Sequence, residues 1–273
     1  CKKNKYLIYM KIAICFWGIT RSLKYTINSI KKRIFEILTL NKIEYDIFMH
    51  CYSIKTYNNI RSNEKTSNFD NEEYKLLNPK YLAIDSQEEI SEKLNLKDYR
   101  THFDPYYNKY DTVNNIILAS YSKSKVVDLI KESKNEYDYV IYLRPDVYYI
   151  NDFDIGFFDL INNDTICTPN FHCFGNQKRK INDRFAITNF HNYQIYGNIF
   201  YDLLEYSKKS QMHSESLLSG HLIKNKIKYE YIDFFFCRIR LNGSTPSADE
   251  NKFLRKNLDP KCFENNCLKL GTC

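Results

Sequence analysis

The chain has 273 residues, of which 43% are hydrophobic, 16% aromatic and 27% charged. That composition fits a folded body and excludes a disordered chain. No apolar run reaches the roughly eighteen residues of a transmembrane helix, and no sustained period supports a collagen, coiled-coil or repeat architecture. Forty Lys and Arg against 33 Asp and Glu leave a formal charge of +7. Such a balance suits an anionic small molecule, a nucleic acid or an acidic membrane surface, and equally solubility alone.

In chain order, residues 11–17 form a short apolar run ended by Gly18, which reads as a buried strand. Leu23, Ile27, Ile30, Ile34, Ile37 and Leu38 then recur at helical spacing, predicting an amphipathic helix over 22–40. Residues 45–52 are the next strand, so the chain opens as βαβ and implies a parallel sheet. Residues 53–75 lack a pattern and read as a long loop; a strand at 80–84 and a short helix with a loop across 86–110 follow. Val113, Ile116, Ile117, Ser120, Ser124, Val127 and Ile130 share one stripe, predicting a helix over 112–134. Residues 137–143 are the clearest buried strand, stopped by Pro145, with a short strand at 147–150. Strands at 165–169 and 185–187, helices over 191–208 and 214–225 (the latter capped by Ser214), and a closing strand over 228–239 complete the pattern. The organisation expected is an extension at 1–10, one domain over 11–243 and a Cys-containing polar tail over 244–273.

Nine Cys is an odd number, and no C-x-x-C pair occurs. Cys15, Cys51, Cys167 and Cys237 fall in apolar runs and read as buried free thiols, while Cys262, Cys267 and Cys273 lie in the tail. With no secretory signal visible near the start, this usage points to a reducing, cytoplasmic setting.

Five short segments can carry chemistry. The turn Gly18, Thr20, Arg21 ends the first strand and opens a helix, where open α/β sheets bind ligands and where a helix N-terminus and an Arg attract phosphate. No G-x-G-x-x-G accompanies it, which counts against NAD and FAD. Arg144-Pro145-Asp146 follows the most buried strand, and a carboxylate there can ligate Mg²⁺ or Mn²⁺. Asn182-Asp183-Arg184 offers an Asp for a sugar hydroxyl and an Arg for phosphate, although read alone it is a surface turn. His213-Ser214-Glu215 opens a helix; Glu215 suits the first turn and can also serve as a general base. Arg238 and Arg240 alternate on one strand face and suggest an anion site.

The order of these motifs resembles the GT-A glycosyltransferase-like proteins of giant viruses and of microbial surface-polysaccharide clusters. The matching stretches are KIAICFWGITRSLKYT (11–26), YDIFMHCY (45–52), YDYVIYLRPDV (137–147), NDRFAI (182–187), HSESLL (213–218) and FCRIRLNG (236–243). The resemblance implies a Rossmann-like α/β domain with a mostly parallel sheet flanked by helices. It also implies hexosyl or deoxyhexosyl transfer from a nucleotide-sugar donor to a hydroxyl on a glycan or glycoprotein, as in polysaccharide biosynthesis. A viral source would place the protein in the host cytoplasm.

On that resemblance Gly18, Thr20, Arg21, Arg144, Arg184, Arg238 and Arg240 bind the nucleotide sugar, and Glu215, with Asp183 second, is the base. Asp146 stands where the last Asp of the family's D-x-D metal motif would stand, binding Mn²⁺ or Mg²⁺; Arg144 occupies the place of the first Asp and can neutralise diphosphate directly. Two other readings compete: a nucleotide-sugar or carbohydrate-binding module without catalysis, and a nucleic-acid-binding protein suggested by the charge and 24 Tyr. The scattered Tyr and the lack of a basic stripe argue against nucleic acid.

Overall fold

The computed structural model describes residues 10–173, 181–246 and 249. Its first strand, β1 (Lys11–Gly18), has an unbroken buried run because the sheet is covered on both faces. Alternate residues serve opposite faces: Ile12, Ile14 and Phe16 enter one core, and Ala13, Cys15 and Trp17 the other. The helix predicted over 22–40 forms as α1 (Leu23–Ile30), a π turn at Lys31–Phe35 and α2 (Glu36–Leu40). The π turn advances the phase, so Phe35 turns inward to stack on Tyr45 while Ile37 stays half-buried.

The chain continues through β2 (Glu44–Ser53), an antiparallel hairpin of β3 (Tyr57–Asn59) and β4 (Glu64–Thr66), β5 (Tyr81–Ser86) and α3 (Gln87–Lys93). The long helix α4 (Asp111–Ser133) leads to β6 (Tyr139–Leu143), β7 (Val147–Tyr149), β8 (Thr165–Pro169) and β9 (Phe185–Asn189). Helices α5 (Tyr193–Gly197), α6 (Leu203–Lys209) and α7 (Ser214–Lys224) and strands β10 (Lys228–Ile232) and β11 (Phe236–Arg238) close the described chain.

Seven strands form the main sheet in the order β10-β8-β9-β6-β1-β2-β5. β9 pairs antiparallel with both β6 and β8, and the remaining pairings are parallel. The expected mostly parallel α/β architecture is therefore present. From β1 the chain builds outward through β2 to β5 and then returns to place β6 on β1's other side. The order of strands thus reverses between β1 and β6, and ligands of open α/β sheets bind in the crevice at such a point.

Three expectations differ in detail. Residues 53–75 contain the β3–β4 hairpin, whose three-residue strands are too short to register as periodicity. The closing strand divides: β10 joins β8 in the main sheet, whereas β11 pairs antiparallel with β7 in a separate ribbon. Asn151 makes the break possible. Its side chain accepts from the Phe235 N–H at 2.7 Å and donates to the Asp233 carbonyl at 2.8 Å, so the backbone leaves the ladder without losing its hydrogen bonds.

The helix expected over 191–208 is interrupted by a 3-10 segment at Asn198–Asp202. Gly197 sits at that junction in close approach to α4. A Cβ there would lie 2.2 Å from Val127 Cγ2 and 2.6 Å from the Tyr142 hydroxyl. Gly197→Ala is accordingly expected to cost about 3 kcal/mol, a fall in Tm of roughly 6–12 °C in a thermal melt. The tail cysteines Cys262, Cys267 and Cys273 lie outside the described residues. Cys15, Cys51 and Cys167 are buried free thiols, as expected, and Cys237 is buried. Among the described residues no helix is long and apolar enough to cross a membrane.

Candidate functional site

A cleft of about 260 Å³ opens at the strand reversal. The β1 turn supplies Trp17, Gly18, Ile19 and Arg21; the segment after β6 supplies Arg144, Pro145 and Asp146; Asp183 and Arg184 precede β9, Ser214 begins α7, and Arg238 and Arg240 come from the β11 end. Segments distant in sequence meet because β1, β6 and the antiparallel β9 bring their ends to one edge of the sheet.

Gly18 has φ +93°, a conformation that favours glycine, and its N–H donates to Ser122 Oγ on α4 at 2.8 Å. His50 Nδ1 lies 2.7 Å from the same hydroxyl and its Nε2 lies 3.1 Å from Asp85, so the turn is fixed to β2, β5 and α4 together. Thr20, expected to touch ligand, is buried and does not line the cleft; its carbonyl accepts from the Leu23 N–H at the start of α1.

Asp146 is the centre of a guanidinium clamp. Arg144 donates to it through Nε at 2.7 Å and Nη2 at 2.6 Å, one bond to each carboxylate oxygen, and Arg21 Nη2 donates at 2.9 Å. Burial opposes the Asp146 charge, but Arg144 and Arg21 outweigh it and hold the carboxyl far below the usual range. Arg21 also donates to the Tyr57 hydroxyl and lies 3.6 Å from Glu64. Both partners come from the hairpin that had no sequence pattern.

This arrangement does not fit a divalent cation at Asp146. Mg²⁺ and Mn²⁺ require several open hard oxygens, whereas both Asp146 oxygens already accept guanidinium hydrogens. Two fixed cations at this range also repel a third. Among the described residues, no group of three or more His, Cys, Asp or Glu is placed to hold a metal.

The other arginines divide by partner. Arg238 forms a two-pronged pair with the buried Asp249, Nε to Oδ2 at 3.0 Å and Nη2 to Oδ1 at 2.5 Å. Asp249 lies in the stretch expected to be a polar tail, so a residue of that tail holds one of the arginines that line the cleft. Arg240 pairs with Glu64 at 3.3 Å. Both arginines line the cleft as expected, but each already has a carboxylate.

The Asn182-Asp183-Arg184 segment is not a surface turn. Asn182 is fully buried and its Oδ1 accepts from the Arg184 N–H at 2.9 Å. Opposite it, α7 is capped by His213, whose Nδ1 accepts from the Ser216 N–H, rather than by Ser214. That frees the Ser214 hydroxyl, which lies 2.7 Å from Asp183 Oδ2 and 2.9 Å from Glu215 Oε2. One hydroxyl hydrogen can serve only one of these oxygens, so both contacts are hydrogen bonds only when a carboxyl carries a proton. Electrostatics select Glu215. Burial and the neighbouring Asp183 charge raise its pKa. Asp183 is also opposed by burial, but Arg184, the Ser214 hydroxyl, Arg144 and Lys123 bring it down to about 2. Arg184 Nη1 sits between the two, 3.1 Å from Asp183 and 3.7 Å from Glu215. Asp183 and Ser214 line the cleft; Glu215 stands behind them.

Lys123 on α4 was not singled out in the sequence. It lines the cleft at 6% exposure, its ammonium 4.7 Å from the Trp17 ring centroid and 4.5 Å from that of Tyr196. The available signal was its position: three residues after Ser120 and four before Val127, it falls on the helix's buried stripe.

No protein-family model matches the chain, and no curated protein matches it. Its chain path is similar to solved structures of a glycosyltransferase involved in glycosylation of the major capsid of PBCV-1 (11% identity, covering 81% of each chain, TM-score 0.42), of mouse xyloside xylosyltransferase 1 (10%, covering 82% of this chain and 84% of that one, TM-score 0.41) and of the S. cerevisiae mannosyltransferase Ktr4p in complex with GDP (11%, 83% and 71%, TM-score 0.44). At this level of likeness they assign no chemistry to the present chain.

Proposed function

We propose that the chain is a glycosyltransferase that moves a sugar from a nucleotide-sugar donor to a hydroxyl of a glycan or glycoprotein. One observation carries this reading: a hydroxyl-bridged carboxyl pair, Asp183–Ser214–Glu215, reaches through Asp183 and Ser214 a cleft at the strand reversal that is also lined by a cluster of guanidinium groups. Glycosyl transfer needs both. A hydroxyl must lose its proton, and a diphosphate must leave with its electron pair.

The acceptor hydroxyl, at the Ser214 wall, passes its proton to Ser214 Oγ while the Ser214 hydrogen moves to the ionised form of Glu215. The acceptor oxygen bonds the anomeric carbon as the bond from that carbon to the diphosphate oxygen breaks. Arg144, Arg184 and Arg21 meet the charge left on the diphosphate. Asp183, held anionic, faces the positive charge that develops on the sugar ring. The raised pKa of Glu215 suits it to the base role, whereas Asp183 at about 2 is too weakly basic to take the proton.

A thermal-shift panel of UDP-, GDP-, CMP- and dTDP-sugars tests the reading, because a ligand of the folded state raises Tm. One nucleotide class is expected to raise Tm, and mass spectrometry of an acceptor incubated with that donor is expected to show a sugar's mass added. Binding without transfer or donor hydrolysis would make the chain a nucleotide-sugar-binding module. Binding of DNA or RNA with steep salt dependence, and of no donor, would overturn both.

A further inference from the structure

Every arginine discussed above already has a carboxylate in hydrogen-bond or ion-pair contact. Lys123 does not: among the described residues its ammonium has two aromatic rings for neighbours and neither a hydrogen-bond acceptor nor a carboxylate at ion-pair distance. Aromatic faces attract a cation, yet they cannot replace the hydrogen bonds its three N–H donors lose on leaving water. Burial accordingly lowers the Lys123 pKa to about 8; the charge of Asp183 opposes that fall and Arg144 adds to it. Two donors on arginines that line the same cleft are also unfilled, for Arg184 Nε and Arg21 Nε are buried with no hydrogen-bond acceptor. A wall of this kind is complete only when an anion with several oxygens enters.

The carboxylate side of the cleft gives the complementary result. Asp146 accepts three guanidinium hydrogens across its two oxygens, and the cations that donate them repel a metal ion. Charge neutralisation therefore falls to side chains that are fixed in place and need no second ligand.

We infer that Lys123, with Arg144 and Arg184, binds the diphosphate of the donor directly, and that this chain binds and turns over its donor without a divalent cation. The inference rests on the glycosyltransferase reading for the identity of the anion, while the anion site itself stands on the side chains named.

The test is isothermal titration of the full chain with inorganic pyrophosphate, UDP and GDP, each in EDTA and in Mn²⁺, on wild type and Lys123→Met. Methionine keeps the length of the stem between Trp17 and Tyr196 and removes the charge. Pyrophosphate and one nucleoside diphosphate are expected to bind wild type with Kd values within about threefold in EDTA and Mn²⁺. Lys123→Met is expected to weaken both by about tenfold or more, the loss of one charge-assisted contact, with no fall in Tm. Binding seen only with Mn²⁺ would overturn the cation-free reading. Unchanged affinity in Lys123→Met, or a lowered Tm as its main effect, would make Lys123 structural. Failure of pyrophosphate to bind would remove the anion site. Pyrophosphate binding without any nucleoside diphosphate would leave the anion site standing and sink the nucleotide-sugar reading instead.

Discussion

Asp146→Ala is expected to destabilise the protein by about 3 kcal/mol, because it leaves the buried Arg21, and the half-buried Arg144 beside it, without their shared anion. For a chain of this size that is a fall in Tm of roughly 10 °C. The sign of the pH dependence follows from the carboxyl's depressed pKa. The stabilisation is complete above the unfolded value of about 4 and is lost as pH falls below it. The wild-type advantage over the variant should therefore shrink on acidification. Pyrophosphate should restore part of the lost Tm, since it supplies the two arginines with a new anion. Asp146→Asn keeps the side-chain shape and one acceptor oxygen, so a smaller loss is expected from it. A metal-ligand role for Asp146 predicts something else: near-wild-type stability without metal, and loss of a Mn²⁺-dependent Tm rise. Thermal melts of both variants with pyrophosphate and with Mn²⁺ separate the two.

Glu215→Gln is expected to lower kcat by about 10²–10⁴-fold with little change in donor KM. The glutamine can hold Ser214 but cannot receive its proton. Tm should not fall, because burial and Asp183 both oppose the Glu215 charge and a neutral amide escapes that opposition. The pH profile adds a second readout. Wild-type kcat should rise with pH along a limb lying above the ordinary Glu pKa of 4.5, and Glu215→Gln should lose that limb. Ser214→Ala should lower kcat in the same direction, since Glu215 does not line the cleft and reaches the acceptor through that hydroxyl. A kcat within about threefold of wild type in Glu215→Gln would remove it from the proton path.

A stability readout also isolates Lys123. Replacing a buried, unpaired ammonium by Met should stabilise the chain by about 1–3 kcal/mol near pH 7. A Lys pKa lowered from 10.5 to about 8 means that between those values the unfolded chain holds a proton the folded one lacks. Wild-type stability should therefore gain on that of the variant as pH rises from 8 toward 10, which chemical denaturation across that range will show.

The sequence by itself determined the elements that are locally periodic and the motifs at their ends. β1, α4, β6 and the mostly parallel sheet were legible because buried parallel strands read as apolar runs and a long amphipathic helix repeats every three to four residues. Gly18, Arg21, Arg144 and Asp146 could be named because strand ends in such sheets are where ligands bind, whereas Asp183 and Arg184 read alone as a surface turn and were named through the resemblance. Glu215 could be named because a carboxylate opened the first turn of a helix.

Only the tertiary structure decided which charge meets which. Tyr57 and Glu64 sit in a hairpin too short to show a period, yet they close on Arg21. Asp249 carries no local signal and still pairs with Arg238. Ser214 gained its bridging role only because His213 capped the helix instead. Asp146 resembled a metal ligand in sequence and is clamped by guanidinium groups in space. Secondary structure follows from neighbours three or four residues away, and so it is written in the local sequence. Electrostatics follow from distance in three dimensions, and the ion pairs here join residues up to 176 positions apart.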